Sequence, residues 1–145
     1  MINSLIELAT NSGVEVYQWN FEYPVRAIYI SLTGCKPTIG YCPCLEWDAR
    51  LFREVFSEEL GHHFAAAGRS LTHTCYADRL QLSITEYRAR RWGAEFLMPI
   101  SNLITVIESG IDSNWELADH FVVNLDFLEF RLSLPDFQNY LITRR

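Results

Sequence analysis

The stretch Ser57-Glu58-Glu59-Leu60-Gly61-His62-His63 constrains this chain more than any other. It lies within residues 45–67, where apolar residues recur at helical spacing. Leu51, Val55, Glu58 and His62 share one face, and Phe52, Phe56, Glu59 and His63 share the adjacent one. A Glu-Glu-x-x-His-His run on a helix ordinarily forms a solvated face with i,i+4 pairs. Here the first stripe begins with Leu51 and Val55, so it is expected to face the core. The second begins with two phenylalanines. Carboxylates on such faces are costly unless they are paired or bind a metal.

Residues 58 and 62 are one helical turn apart and point the same way, so together they can clamp one cation. Glu59, between them, sits beside that cation without ligating it. This is the geometry of H-E-x-x-H zincins, in which the Glu takes a proton from the metal-bound water. Glu58 here replaces the first His. A second long helix is expected from about Ile84 to Leu97, stopping before Pro99, with Ala89, Trp92, Gly93 and Phe96 as its apolar stripe. Glu86 opens that stripe. Taken alone, it is a helix N-terminal acid favoured by the macrodipole. As a third ligand it would leave one coordination position for water, the pattern of a catalytic zinc site.

The rest of the chain predicts an α+β fold in one domain spanning residues 1–145. A short helix over 3–10 precedes strands over 14–19, 25–32 and 37–42, the last two forming a hairpin in a small antiparallel sheet. Gly68 is expected to end the active-site helix and residues 69–83 to be irregular. Short helices follow at 100–108, 115–122 and 125–133, the last two capped by Ser113 and Asn124, with Pro135 opening another. No stretch is long and apolar enough to span a membrane, and the first residues lack a basic n-region, which points to the cytoplasm. Cys35, Cys42, Cys44 and Cys75 are then expected as free, packed thiols. Recruitment of Cys42 or Cys44 to a metal is the rarer alternative. His73 is expected in a surface loop and His120 as a partly buried imidazole.

Charge limits the function. The chain has 12 Lys+Arg against 18 Asp+Glu, a net charge of −6. Trp115 to Leu132, two short helices around a tight turn, suggest a helix-turn-helix, but between residues 112 and 136 Asp112, Glu116, Asp119, Asp126, Glu129 and Asp136 stand against a single Arg131. Such a surface repels phosphate, which leaves helical packing or a protein partner.

Two blocks carry a family resemblance: Glu-Glu-Leu-Gly-His-His-Phe at 58–64, and Glu86-Tyr-Arg-Ala-Arg-Arg-Trp-Gly-Ala-Glu-Phe-Leu-Met-Pro99. Together they resemble the ImmA/IrrE family of metallo-endopeptidases, whose blocks read roughly H-E-x-G-H and E-x-x-A-x-x-F-A-x-x-L-L-M-P. Pro37-Thr-Ile-Gly-Tyr and Glu116-Leu-Ala-Asp-His-Phe-Val-Val are also similar, so the likeness runs from about residue 14 to 133. It implies a zincin-like body with an active-site helix, His62 and Glu86 as metal ligands, Glu59 as general base, and Glu58 where the family has its first His. A Glu/His/Glu set is harder and more anionic than His/His/Glu, so Mn2+ or Fe2+ competes better with Zn2+. His63, Tyr87 and His73 are candidates to stabilise the oxyanion. The implied function is cleavage of a helix-turn-helix repressor of a phage or integrated element, which derepresses its genes. The alternatives are a peptidase-shaped module that binds the repressor without cleaving it, and a DNA-binding regulator, which the acidity disfavours.

Overall fold

The computed structural model describes residues 2–65 and 76–144, and the side chains of residues 3–65 and 83–144. The elements in chain order are α1 (Ile2–Asn11), β1 (Glu15–Gln18), β2 (Ala27–Ile30), β3 (Thr38–Tyr41), a 3-10 turn (Pro43–Trp47), α2 (Ala49–Ala65), α3 (Tyr76–Leu97), α4 (Ile100–Glu108), α5 (Asn114–Phe121), α6 (Leu125–Leu132) and α7 (Pro135–Thr143). The architecture is α+β, with a small N-terminal sheet and a predominantly helical body.

β2 and β3 form the expected antiparallel pair, with Ile28 opposite Gly40 and Tyr29 opposite Ile39. β1 adds to the other side of β3 in parallel, giving the order β1-β3-β2. A parallel neighbour cannot be joined by a tight turn; here β2 lies within the connection. The inner face of the sheet carries Ile39 and Tyr41, both buried. Tyr41 meets Phe52 and Phe56 of α2 edge-on, at 5.4 and 6.0 Å between ring centroids.

These contacts revise the expected facing of α2. Its buried side is Phe52, Phe56 and Leu60, while Leu51 and Val55 are only half buried. Two partners divide the helix. The sheet covers the phenylalanine side, and α3 covers the side of Ser57 and Gly61. The stripe of Leu51, Val55, Glu58 and His62 falls between them. A Cβ on Gly61 would collide with the Ala89 carbonyl oxygen, and one on Gly93 would lie 2.8 Å from Ser57 Oγ. Small residues thus let the backbones of α2 and α3 touch directly.

Two boundaries and two caps also differ from expectation. Residues 45–48 are not the first turn of α2. Asp48 is extended (φ −131°, ψ 96°), and its carboxylate accepts the Leu51 N–H at 3.1 Å, an N-cap contact that restarts the chain as a new helix. α3 begins at Tyr76, not near Ile84, because Ala, Arg, Leu and Gln favour helix and no Gly or Pro intervenes. Ser113 and Asn124 stand at the N-caps of α5 and α6, but neither side chain makes a capping bond. Instead Glu54, buried in α2, accepts the Asn124 backbone N–H at 2.6 Å. Arg50 adds bonds to the Val123 carbonyl at 2.9 Å and to Asp119 at 2.5 Å, so α2 grips the α5–α6 turn. Gly68, His73, Cys75 and the stretch 69–75 lie outside the described residues.

Arg131 is no surface cation. It is fully buried, bonded to the Met98 carbonyl at 2.7 Å and to both carboxylate oxygens of Asp136 at 2.8 and 2.9 Å. Cys35 and Cys44 are exposed and Cys42 is half buried, so the described thiols are free but are not core packing. His120, too, is exposed, its ring edge-on to Phe121 at 4.9 Å. Among the described residues, no helix is long and apolar enough to cross a membrane.

Candidate metal centre

The contact of α2 with α3 brings together Glu58, Glu59 and His62 of α2 with Glu86 and Arg90 of α3. His62 Nε2 and Glu86 Oε2 are 3.3 Å apart, with side chains 16% and 56% exposed. Glu86 is therefore not the core carboxylate its apolar stripe suggests. Of that stripe Ala89 and Gly93 are buried, while Trp92 is half buried and Phe96 exposed, stacked on one another at 5.0 Å.

Glu58 is one turn back on the same face of α2. Its Oε1 lies 3.7 Å from Arg90 Nη1, with side chains 30% and 38% exposed. Arg90 was not singled out by sequence. Its position four residues after Glu86 suggests a pair within α3, yet the structure gives it to Glu58. The Arg90 guanidinium lies over two rings of α6, 4.8 Å from Phe130 and 5.4 Å from Phe127.

The second residue missed by sequence is Tyr29 on β2. It faces inward beside Ala27, and alternation along the strand was the available signal. Its hydroxyl is 2.8 Å from His63 Nδ1, and its ring lies parallel to His62 at 6.4 Å. Tyr87, by contrast, packs edge-on to Phe130 at 5.9 Å.

The charges shift as such crowding requires. Burial pushes the Glu59 carboxyl up to about 7; His62 and a backbone N–H of Tyr29 oppose that shift, while Glu86 and Glu58 reinforce it. Burial also raises Glu58, opposed by Arg90. For His62 burial favours the neutral ring, but the bond to Glu86 and the three carboxylates outweigh it and raise its pKa. Glu86 moves down, chiefly through the His62 hydrogen bond. Burial lowers His63.

The donors suit a zinc-class ion in chemistry, being imidazole and carboxylates. They suit it partly in spacing. Two ligands of a tetrahedral zinc, with bonds of about 2.0–2.1 Å, lie about 3.3 Å apart, which is the His62–Glu86 separation. The departure is Glu58, engaged by Arg90. Among the described residues, no three His, Cys, Asp or Glu side chains are gathered closely enough to hold a metal.

An α+β chain whose paired helices join a Glu-Glu-x-x-His segment to a carboxylate of the second helix has the layout of a peptidase-like domain. The family described as the IrrE N-terminal-like domain, of peptidase type M78, matches residues 46–133, and the chain belongs to that family. No curated protein and no solved structure matches it.

Proposed function

We propose that the chain is a single metallopeptidase domain over residues 1–145, working in the cytoplasm as an endopeptidase. Glu58, His62 and Glu86 would hold a zinc ion, or a manganese or iron ion given the hard donor set. Glu59 would be the general base. The observation that carries this reading is the meeting of His62 on α2 with Glu86 on α3, 3.3 Å apart, with the largely buried Glu59 carboxyl close by. A carboxylate held next to such a pair is where proton transfer needs its base.

A bound ion would supply polarisation of the scissile carbonyl and acidification of a water. The protein's own part is proton movement and positioning. The Glu59 carboxylate takes the water proton and returns it to the leaving amine. Tyr29 and His63 are hydrogen-bonded to each other at 2.8 Å, so the pair would keep one free proton, on the Tyr29 hydroxyl or on His63 Nε2, to offer a developing oxyanion. The substrate would be a helix-turn-helix repressor of a phage or integrated element. Family membership supports this, and so does the acidic α5–α6 surface, which complements the basic face of a DNA-binding protein.

One observation favours a second reading. Glu58 has Arg90 as a partner at 3.7 Å without a metal, as in a peptidase-shaped module that inactivates a repressor by binding alone. Metal content separates the two. Protein purified without chelator should carry near-stoichiometric zinc or manganese, lost in Glu86→Ala and His62→Ala. It should then cut the repressor encoded beside it. No metal in any sample, even after excess zinc, would leave the non-cleaving reading.

A further inference from the structure

We infer that Arg90 is a built-in competitor for Glu58 that sets how tightly this centre takes a cation, and that α6 holds it in place for that task. The inference rests on the metal reading above and concerns the regulation of that same site.

Register is the first argument. α2 and α3 touch backbone to backbone where Gly61 meets Ala89 and Ser57 meets Gly93. That antiparallel contact sets His62 opposite Glu86 and, one turn away, Glu58 opposite Arg90. Arg90 is thus delivered to Glu58 by the helix contact, in preference to Glu86 on its own helix. The second argument is immobilisation. A guanidinium stacked over Phe127 and Phe130 has its planar head fixed by two rings, so it is not a loose surface cation that drifts aside. The third is charge. Three carboxylates, Glu58, Glu59 and Glu86, act on the one His62 imidazole, and carboxylates in such a group attract a divalent cation. Arg90 offsets the charge of one of these carboxylates and repels an incoming ion. To serve as third donor, Glu58 must give up this partner, so the ion pair subtracts from metal affinity.

The test is a zinc competition titration against a chromophoric chelator, on chelator-stripped full-length protein. Arg90→Met keeps an unbranched chain against Phe127 and Phe130 and removes the charge; Arg90→Gln is the second variant, and circular dichroism checks folding in each. Both should bind zinc about tenfold more tightly than wild type, equivalent to about 1.4 kcal/mol. Glu58→Gln should erase the gain, so that Arg90→Met/Glu58→Gln matches Glu58→Gln alone. Wild type that binds zinc, with folded Arg90 variants no tighter, would overturn the inference and leave the metal reading standing. Zinc binding by the Arg90 variants but not by wild type would uphold the inference and sink the metalloenzyme reading of the native chain. No binding in any of them would overturn both.

Discussion

Gly61→Ala places a methyl group where the backbone of α3 already lies. Helix propensity alone would make the change stabilising by about 1 kcal/mol, since glycine is the poorer helix former. Against this, the new Cβ overlaps the Ala89 carbonyl oxygen and comes within 2.8 Å of the Ala89 C and Cα atoms. All three are backbone atoms, so no side chain can rotate out of the way. Overpacking of a core contact costs about 1–3 kcal/mol, and an obstacle of this kind belongs at the upper end. The balance is a loss of about 2 kcal/mol, or a fall in Tm of about 4–8 °C for a chain of this size. A second effect follows. Parting the helices lengthens the His62–Glu86 contact, and with it goes part of the upward shift of the His62 imidazole. Thermal melts by circular dichroism and an NMR titration of His62 would measure both. Gly93→Ala is the graded control. Its Cβ would meet the Ser57 side-chain oxygen at 2.8 Å and the Ser57 backbone C and O at 3.0 Å, a lesser clash. The expected order of stability is wild type, then Gly93→Ala, then Gly61→Ala. A Gly61→Ala protein that melts at or above wild type would show that the helices do not touch at this point.

Two further outcomes concern buried charge. Glu59 has its carboxyl raised from an ordinary 4.5 to about 7, so between those values the folded, metal-free protein keeps a proton that the unfolded chain has lost. Stability therefore falls as pH rises through that window; Glu59→Gln should be up to about 3 kcal/mol more stable than wild type near pH 8 and equal to it near pH 4, and equal urea midpoints at pH 8 would count against it. Asp136 has its pKa lowered, chiefly by the hydrogen bond from Arg131, so the pair's contribution is present above the ordinary aspartate range and lost as pH falls through the depressed folded value. Removing one partner of a buried pair costs about 3–5 kcal/mol; Asp136 is 36% exposed in its side chain, so water offsets part of this and Asp136→Asn should lose about 2 kcal/mol at neutral pH. Urea unfolding should show that difference shrinking in strong acid.

Much of the scaffold was legible because it follows local rules. Alternation marked the first strand, β-branched and aromatic content the second, and the turn at 33–36 the hairpin to the third; helical spacing marked α2 and α3, and Pro99 and Pro135 marked a helix end and a helix start. What local rules do not carry is competition between partners. Periodicity put Leu51, Val55, Glu58 and His62 on one stripe of α2, but whether that stripe is core depends on where the sheet and α3 dock. The docking is decided by Phe52 and Phe56 on one side and by Ser57 and Gly61 on the other. For the same reason Glu86 looked buried from its apolar neighbours and proved half open. Arg131 looked like a surface charge and proved to be an interior anchor, because its partners, the Met98 carbonyl and Asp136, come from either side of the α4–α6 segment. The parallel placing of β1 was equally out of reach of a period-two pattern, which states a strand's faces and not its neighbours.

The sequence singled out Glu58, Glu59, His62 and Glu86 but not the pairs that Glu58 and His62 make across α2 and α3, and the difference lies in one register. Ser57 and Gly61 are one turn apart on α2, as are Ala89 and Gly93 on α3, and the two small pairs meet in antiparallel order. Each small residue on α2 is followed at once by a charged or titratable one, Glu58 or His62. On α3 the corresponding neighbours, three residues before each small residue's place, are Glu86 and Arg90. With the backbones in contact, only one set of partners is possible: acid against cation on both rungs, reversed in sense from one to the next. A shift of one turn would place Glu58 against Glu86 and leave two carboxylates facing each other without Arg90 between them. The small residues that carry no chemistry therefore determine which chemistry the charged ones can do.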